Sequence, residues 1–514
     1  MKRWTWIVCA MVLLCTTAAH AHVGSPDVYA EGQAGPYRLS VVVRPALVIP
    51  GVAEIDVRAE TSGIDRITIT PIPMTGEAAK HPPVPDTMER PSKDAQFFTG
   101  HLWIMAPGSW KIRFVVNGGQ GQGVLSIPLP ATAMATRKMQ PALGTLLAVL
   151  GLLLVLGMVG IVGAAVREAK LTPAETIPEA NRRRGYVAMT VALALLSVGI
   201  VLGNRWWKAD AAVYSENIYK PLQMTPTLTQ GNMLNLKLQD PGWLRQRQLD
   251  DFVPDHDHLM HLYMIRWPEM DVVFHLHPEP IGTGEFQLAL PSMPAGDYHL
   301  YADVVHANGF PETLVAAIIL PQISGRPLAG DDAEGLAKPL SSSGNDSESV
   351  IAARNSDSSS EAREESFRLP DGYTMVWEMP KALLPKAPES FRFDLLDPQG
   401  KPPKDMALYM GMLGHAAFVN TDGTVFAHIH PTGTVAMAAF MMANPNAAMS
   451  VMENESASHM ADMPGMGVSG GALPNTVSFP YGFPSAGQYR IIVQMKHGST
   501  VETGVFDALV QAPK

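Results

Sequence analysis

A histidine-bearing hairpin occurs twice in this chain of 514 residues and constrains its fold more than any other feature. The first copy is Asp255–Pro278 (DHDHLMHLYMIRWPEMDVVFHLHP), and the second is Gly414–Pro431 (GHAAFVNTDGTVFAHIHP). In each copy, two apolar runs flank a turn, which is centred on Pro268 in the first and on Asn420–Gly423 in the second. The pattern predicts two antiparallel strand pairs.

The turns predict which histidines face one another. Folding each hairpin about its turn places His261 opposite His275, and His415 opposite His428. A third histidine follows two residues later in each copy and therefore lies on the same face. Three imidazoles on one patch have the geometry of a metal site. The predicted ligands are His261, His275 and His277 in the first copy and His415, His428 and His430 in the second.

The repeat extends beyond the hairpins. Leu234–Trp243 matches Phe391–Gly400, and the turn at 294–298 (PAGDY) matches that at 485–489 (SAGQY). A period this long, with strand patterns throughout, predicts two homologous β-sandwich domains. Further candidate metal ligands occupy matching positions in the two copies: His258 with Met412, and His306 with His497.

The only two cysteines, Cys9 and Cys15, lie in a predicted signal peptide over residues 1–21. Cleavage after Ala21 would leave a chain without cysteine, which excludes disulfides, zinc–thiolate sites and type 1 copper. It would also create an N-terminal His22, either a chelating ligand or simply the residue after the cut. The net charge of −10 argues against a nucleic-acid partner.

Two uncharged apolar runs, 142–166 and 185–203, predict transmembrane helices. The loop between them, 167–184, carries five basic residues, so the positive-inside rule places it in the cytoplasm. The segment 22–132 is predicted to form a β-sandwich on the opposite, extracytoplasmic side. The segments 209–321 and 367–514, which contain the two hairpins, are predicted to lie on that side as well. We therefore expect three immunoglobulin-like β-sandwiches and a two-helix transmembrane hairpin, in a mainly β protein.

Two segments lack the pattern of a packed core. Residues 322–366 are rich in Ser, Asp, Glu and Gly and predict a disordered linker. The segment 437–466 contains eight methionines and one histidine, and thioethers select Cu(I) or Ag(I) over harder ions. The alternative is that these methionines are flexible gap-fillers. The candidate ligands of this segment are His459, Met460, Met463 and Met466.

The outer domains resemble the FixH / YtkA-like family of membrane-tethered, immunoglobulin-like domains. The resemblance is carried by the turn-to-strand motifs at 294–298 and 485–489, by Gly108–Trp110 in the first domain, and by the two hairpin ends at 275–278 and 428–431. The Met/His segment resembles methionine-rich loops of periplasmic copper proteins. These resemblances imply a bacterial inner-membrane protein linked to copper handling, with copper-transporting or oxidase-assembly proteins as partners.

Three functions fit these patterns. The first is a periplasm-facing protein that binds copper, as Cu(I) or Cu(II), and transfers or sequesters it. The second is a structural or adaptor protein whose sandwiches bind a partner. The third is a zinc-dependent hydrolase, in which three histidines activate water. No evident general base is paired with the histidines in both copies: Glu279 follows His277 in the first, but the second has Thr432–Gly433 after its last histidine. We therefore expect a copper-binding protein that is not an enzyme, with zinc as the alternative metal.

Overall fold

The structure is a computed structural model that describes residues 25–91, 93–172, 175–229, 232–244, 247–340, 363–445 and 473–513. These residues form three helices, numbered here α1 to α3: Pro141–Glu168, Glu179–Glu216 and Met437–Ala443. A short 3-10 turn covers Glu77–Lys80. Strands β1 to β27 are, in chain order, Val28–Ala34, Tyr37–Arg44, Gly51–Ala59, Ile64–Pro73, Asp86–Thr87, Phe97–Ile104, Gly108–Gly118, Gly121–Ala131, Gln223–Thr229, Met233–Gln239, Phe252–Val253, His261–Trp267, Val272–Leu276, Glu279–Gly282, Glu285–Ala289, Gly296–His306, Pro311–Leu320, Ala333–Leu336, Arg363–Arg368, Thr374–Met379, Glu389–Leu396, Met406–Ala407, His415–Asn420, Phe426–Ile429, Thr476–Tyr481, Gly487–His497 and Thr500–Val510.

The first sandwich consists of two four-stranded antiparallel sheets, ordered β1-β2-β3-β6 and β5-β4-β7-β8. Its strands alternate between buried and solvent-facing residues. In β3, for example, Ala53, Ile55 and Val57 are buried, whereas Glu54 and Arg58 are exposed. This period of two is what a half-buried strand requires, so the prediction of a β-sandwich here is confirmed.

The second and third sandwiches share their central strand order and differ in their edge strands. In the second, β14-β15-β10-β9 faces a sheet ordered β11-β16-β12-β13-β18, with β17 also pairing β16. In the third, β19-β20-β21-β25 faces β22-β26-β23-β24, with β27 pairing β26. The β10, β12, β13 and β16 strands of the second thus correspond to β21, β23, β24 and β26 of the third. The mainly β fold class with several antiparallel sheets agrees with the expectation from sequence.

The helices α1 and α2 are long and apolar enough to cross a membrane, with mean hydropathy of 2.8 and 2.2 in their most apolar windows. They extend beyond the predicted spans of 142–166 and 185–203. Helix α2 continues as far as Glu216, past the paired tryptophans Trp206 and Trp207, which are both exposed.

The prediction of a disordered linker over residues 322–366 is wrong in part. Ala333–Leu336 is strand β18, which adds to the edge of β13, and β19 begins at Arg363. Ala333 and Gly335 point inward in this short strand, so its few small residues suffice to cover the sheet edge. The remaining part, 341–362, lies outside the described residues.

The hairpin strands β12, β13 and β23 are buried on both faces. One face of β12, with Leu262 and Met264, packs into the core of its own sandwich. The other face, with Tyr263 and Ile265, packs against the third sandwich in a shared apolar cluster. The rings of Tyr301 and Phe426 stack across this contact, with centroids 4.3 Å apart. The predicted histidine face of each hairpin is therefore the face that meets the other sandwich.

Candidate metal centre between two sandwiches

The predicted hairpin registers are wrong by two residues. His275 pairs with Tyr263, and His428 pairs with Ala417. The predicted partners were His261 and His415. Because side chains on a strand alternate with a period of two, a shift of two residues keeps each histidine on its predicted face.

Eight histidines converge where the two sandwiches meet. Six of them form two groups of three, and within each group one nitrogen of every ring lies within 4.8 Å of the others. The first group is His261, His275 and His277; the second is His256, His415 and His430. The two remaining rings flank these groups. The ring of His258 stacks on that of His277, with centroids 3.8 Å apart. The ring centroid of His428 lies 4.7 Å from that of His430, 5.5 Å from that of His261 and 5.6 Å from that of His275.

The second group combines residues from both domains. His256 belongs to the second sandwich, yet its ring centroid lies 5.0 Å from that of His415 and 5.1 Å from that of His430, both in the third. Sequence reasoning did not select His256, because it lies in a turn rather than on a strand. That turn has two consecutive residues with positive φ, His256 and Asp257, and Met410 (φ 49) occupies the matching place in the third sandwich.

Several imidazole nitrogens in this cluster are buried and unpaired. Within the described part of the chain, no hydrogen-bond partner is found for Nε2 of His256, His277, His428 and His430, or for either ring nitrogen of His415. Buried polar atoms almost always have a partner, and leaving one without costs about 1–3 kcal/mol. So many unpaired nitrogens in one place are characteristic of atoms that bind a ligand.

The partners of the opposite ring nitrogens determine where the lone pairs point. Nδ1 of His277 lies 2.9 Å from the Asp332 carboxylate, and Nδ1 of His430 lies 3.1 Å from the Val435 carbonyl. These oxygens accept, so the protons reside on Nδ1 and the unpaired Nε2 atoms carry lone pairs. This second hydrogen bond is the usual way in which a protein orients a metal-binding imidazole.

His261 and His275 place two lone pairs against each other. Nε2 of His261 donates to the Asp255 carbonyl at 2.9 Å, and Nδ1 of His275 donates to Oε1 of Gln494 at 2.8 Å. With the protons assigned to these two bonds, the remaining nitrogens, Nδ1 of His261 and Nε2 of His275, face each other as lone pairs at 3.2 Å. Two nitrogens bound at about 2.0 Å to one tetrahedral ion are separated by about 3.3 Å. The observed spacing matches that separation, and it also lies within the range of a hydrogen bond.

Each sandwich orients a histidine of the other. Asp303 and Gln494 occupy equivalent positions, paired with His261 and His415 respectively. Asp303 contacts His428 of the third sandwich at 3.1 Å, and Gln494 contacts His275 of the second at 2.8 Å. A threonine supports each of these, Thr313 bonding Asp303 and Thr503 bonding Gln494. The centre is thus complete only when both domains are in place.

Burial keeps the imidazoles neutral. It lowers the pKa of His256 to about 3 and that of His261 to about 4. The pKa values of His275, His277, His415, His428 and His430 are lowered too, in each case chiefly by burial. Neutral imidazole is the form that binds metals, so these rings are ready to bind at neutral pH.

The segment predicted as a linker contributes to the centre. Besides Asp332, it supplies Asp331, whose carboxylate lies 3.5 Å from Nε2 of His258 and whose carbonyl accepts from the Tyr409 hydroxyl. Burial raises the pKa of Asp332 to about 6 and that of Asp303 to about 7. Both carboxyls thus offer negative charge close to the rings when a cation favours their ionised form.

The first sandwich braces the loop that follows His430. Thr432 and Thr434 exchange backbone hydrogen bonds with strand β1, and Gly433 pairs with Ala30. Gly433 has φ 118, and a Cβ there would lie 1.9 Å from the carbonyl oxygen of Tyr29. Helix α3 then docks on β8, and its first turn bonds the Asp255 carboxylate through the backbone N–H of Ala438.

Not all predicted ligands belong to this centre. His306 and His497 lie apart, and each is bonded to carboxylates of its own sandwich, so their assignment to the histidine patches is wrong. Met412 is buried in the turn that corresponds to the one carrying His258. The signal peptide, His22 and four candidates of the Met/His segment lie outside the described residues; the four are His459, Met460, Met463 and Met466.

Comparison with known proteins yields one family model and several solved structures of low similarity. Residues 368–512 match a family model described as a domain of unknown function (DUF8832). No curated protein matches the chain. Among solved structures, it is similar to an ICAM-5 D1-D4 ectodomain fragment, with 8% identity over 93% of this chain and 78% of that one and a TM-score of 0.15. A putative membrane anchored protein from Corynebacterium diphtheriae shares 8% identity over 95% and 96%, with a TM-score of 0.14. Such low scores carry no functional argument.

Proposed function

We propose that this protein is a membrane-anchored copper-binding protein that holds at least two copper ions in the eight-histidine centre. The observation that carries the proposal is the set of buried, neutral imidazoles whose lone pairs have no proton to accept. Two groups of three nitrogens provide ligands for two ions, and His258 and His428 complete or bridge them.

The ligand chemistry favours copper. Imidazole binds copper, zinc, iron and nickel, and among the divalent first-row ions Cu²⁺ has the highest affinity for a given nitrogen site. Two dications in one buried pocket of neutral ligands would repel each other strongly. Two Cu(I) ions carry half that charge, and the carboxylates of Asp303 and Asp332 lie near enough to balance it.

Burial favours sequestration over rapid transfer. His261, His275 and His415 are at most 2% exposed, so an acceptor protein has no direct access to them. In this proposal, the Met/His segment that follows helix α3 captures Cu(I), and the histidine centre retains it. The resemblance to FixH / YtkA-like domains and the basic loop 167–184 support a bacterial inner-membrane location, with the centre in the periplasm.

The two alternatives fit less well. In a zinc hydrolase, a general base must reach a metal-bound water, but the carboxylates of Asp303 and Asp332 are bonded to the histidines themselves. In an adaptor protein, the histidines would form a closed hydrogen-bonded network. Their unpaired nitrogens argue against that.

Metal content of the full-length, detergent-solubilised protein tests the proposal. The background variant His459→Ala with Met460, Met463 and Met466 each changed to Leu removes the candidate ligands of the Met/His segment. Loaded with Cu(I) and desalted, this background is expected to retain at least two copper ions per chain. Adding His275→Ala and His415→Ala, which removes one ligand from each group of three, should remove most of that copper.

The matched control adds His81→Ala and His101→Ala, which change two exposed histidines of the first sandwich. This control should retain all the copper. Circular dichroism confirms that each variant remains folded. Equal copper in the site variant and the control would overturn the proposal.

A further inference from the structure

A second cluster of metal-binding side chains lies in the third sandwich, separate from the eight-histidine centre. Nε2 of His497 is 3.2 Å from the Glu502 carboxylate and 3.7 Å from that of Asp371. Nδ1 of His497 is 3.4 Å from Asp405, and its ring stacks on Tyr373 at 4.0 Å. His497 and Glu502 are buried, whereas the side chains of Asp371 and Asp405 are 39% and 57% exposed.

The equivalent cluster of the second sandwich contains a built-in cation. His306 takes the place of His497, since each pairs with the short strand β11 or β22. His306 lies 2.6 Å from Asp251 and 3.0 Å from Glu312. The Arg247 guanidinium then bonds Glu312 at 2.9 Å and also contacts Asp240, with its side chain only 3% exposed. The carboxylates of this cluster are therefore neutralised from within the protein.

The third sandwich lacks that arginine. The loop that would carry it, residues 397–405 (DPQGKPPKD), is shorter and has no arginine, and its two lysines are exposed. A carboxylate, Asp371, instead faces Glu502 across the histidine nitrogen. Two carboxylates therefore lie beside one nitrogen of the His497 ring, where like charges repel each other unless a cation lies between them.

We propose that Asp371, His497 and Glu502 bind a divalent cation of zinc-like character, which replaces the guanidinium of the second sandwich. One nitrogen and two carboxylate oxygens suit Zn²⁺, whose ligand atoms lie about 3.3 Å apart in a tetrahedral site. The observed separations of 3.2 and 3.7 Å bracket that value. Asp405 holds Nδ1 of the ring, which directs Nε2 toward the ion.

Zn²⁺ binding to the full-length protein tests this site. The His275→Ala, His415→Ala background removes one ligand from each histidine group, so that the histidine centre does not compete. Isothermal titration is expected to give one zinc ion per chain. Asp371→Asn with Glu502→Gln should weaken that binding at least 10-fold. The control Glu77→Gln, on the exposed 3-10 turn, should leave it unchanged.

Asp371→Arg supplies a stricter test because it mimics Arg247. This substitution should abolish the rise in melting temperature that zinc causes, and it should raise the melting temperature of the zinc-free protein. Unchanged zinc affinity in the Asp371→Asn, Glu502→Gln variant would overturn the proposal. So would a lower zinc-free melting temperature for Asp371→Arg together with a retained response to zinc. Neither result bears on copper binding at the eight-histidine centre.

Discussion

Acidification should destabilise the metal-free protein steeply. Seven histidines of the centre have pKa values lowered by burial: His256, His261, His275, His277, His415, His428 and His430. Below the ordinary histidine pKa of 6.5, the unfolded chain takes up protons that the folded chain refuses. Their stabilisation is therefore complete above pH 6.5 and is lost as the pH falls toward the folded-state values, about 4 for His261 and about 3 for His256.

Three carboxyls whose pKa values are raised into this pH range act in the opposite direction. Burial raises the pKa of Asp303 and Glu502 to about 7 and that of Asp332 to about 6, so the folded state holds protons that the unfolded state releases. Seven imidazoles take up protons on unfolding and three carboxyls release them, so the net uptake is roughly four protons. The free energy of unfolding should therefore fall by about 5 kcal/mol for each pH unit of acidification. A whole domain is typically stable by about 5–15 kcal/mol. The metal-free centre should therefore open within about two pH units below 6.5.

Urea unfolding of the full-length protein in a chelator, followed by tryptophan fluorescence, measures this effect. The buried Trp243 and Trp377 report on the second and third sandwiches. The urea midpoint should fall sharply between pH 7.5 and 5.5, and His415→Leu should make the dependence shallower. The control His81→Ala should not change it. An equal midpoint at both pH values would refute the reasoning that these buried imidazoles are neutral.

Three further predictions concern single residues. Asp303→Asn, which removes the carboxylate that orients His428, should weaken copper binding about 10- to 100-fold in a competition titration, and an unchanged affinity would contradict its positioning role. Arg247→Met removes the guanidinium partner of the buried Glu312 carboxylate and should lower the free energy of unfolding by about 3–5 kcal/mol, measured in urea. Arg392→Met, at an exposed ion pair, should lower it by less than about 1 kcal/mol, and similar losses in the two variants would contradict this reasoning. Gly433→Ala places a Cβ against the Tyr29 carbonyl, so it should detach the first sandwich from the loop after His430 and speed proteolysis of that loop. A protease-resistant variant would show that this contact is dispensable.

The sequence predicts the faces of the hairpins better than their pairing. Strand periodicity alone places His275 and His277 on one face, and a register error of two residues leaves that face unchanged. Composition is also enough to identify the long apolar helices, because an uncharged apolar run long enough to cross a membrane is longer than most buried helices of a soluble domain.

What the sequence does not reveal is which elements from distant parts of the chain meet. The two histidine patches face each other only because Tyr263, Ile265 and their counterparts bury the same faces between the sandwiches. His256 enters the centre through a turn with positive φ, and Asp332 enters through a segment whose polar composition resembles a linker. The contributions of Asp303 and Gln494 cross from one sandwich to the other, and no local pattern predicts that.

The most direct test of the central claim is a crystal structure of the Cu(I)-loaded protein with data collected at the copper absorption edge. We expect at least two anomalous peaks between the β12–β13 and β23–β24 hairpins. One should lie within bonding distance of His261 and His275, and another near His415 and His430. A map without a peak between the two sandwiches, from crystals that contain copper elsewhere, would contradict it.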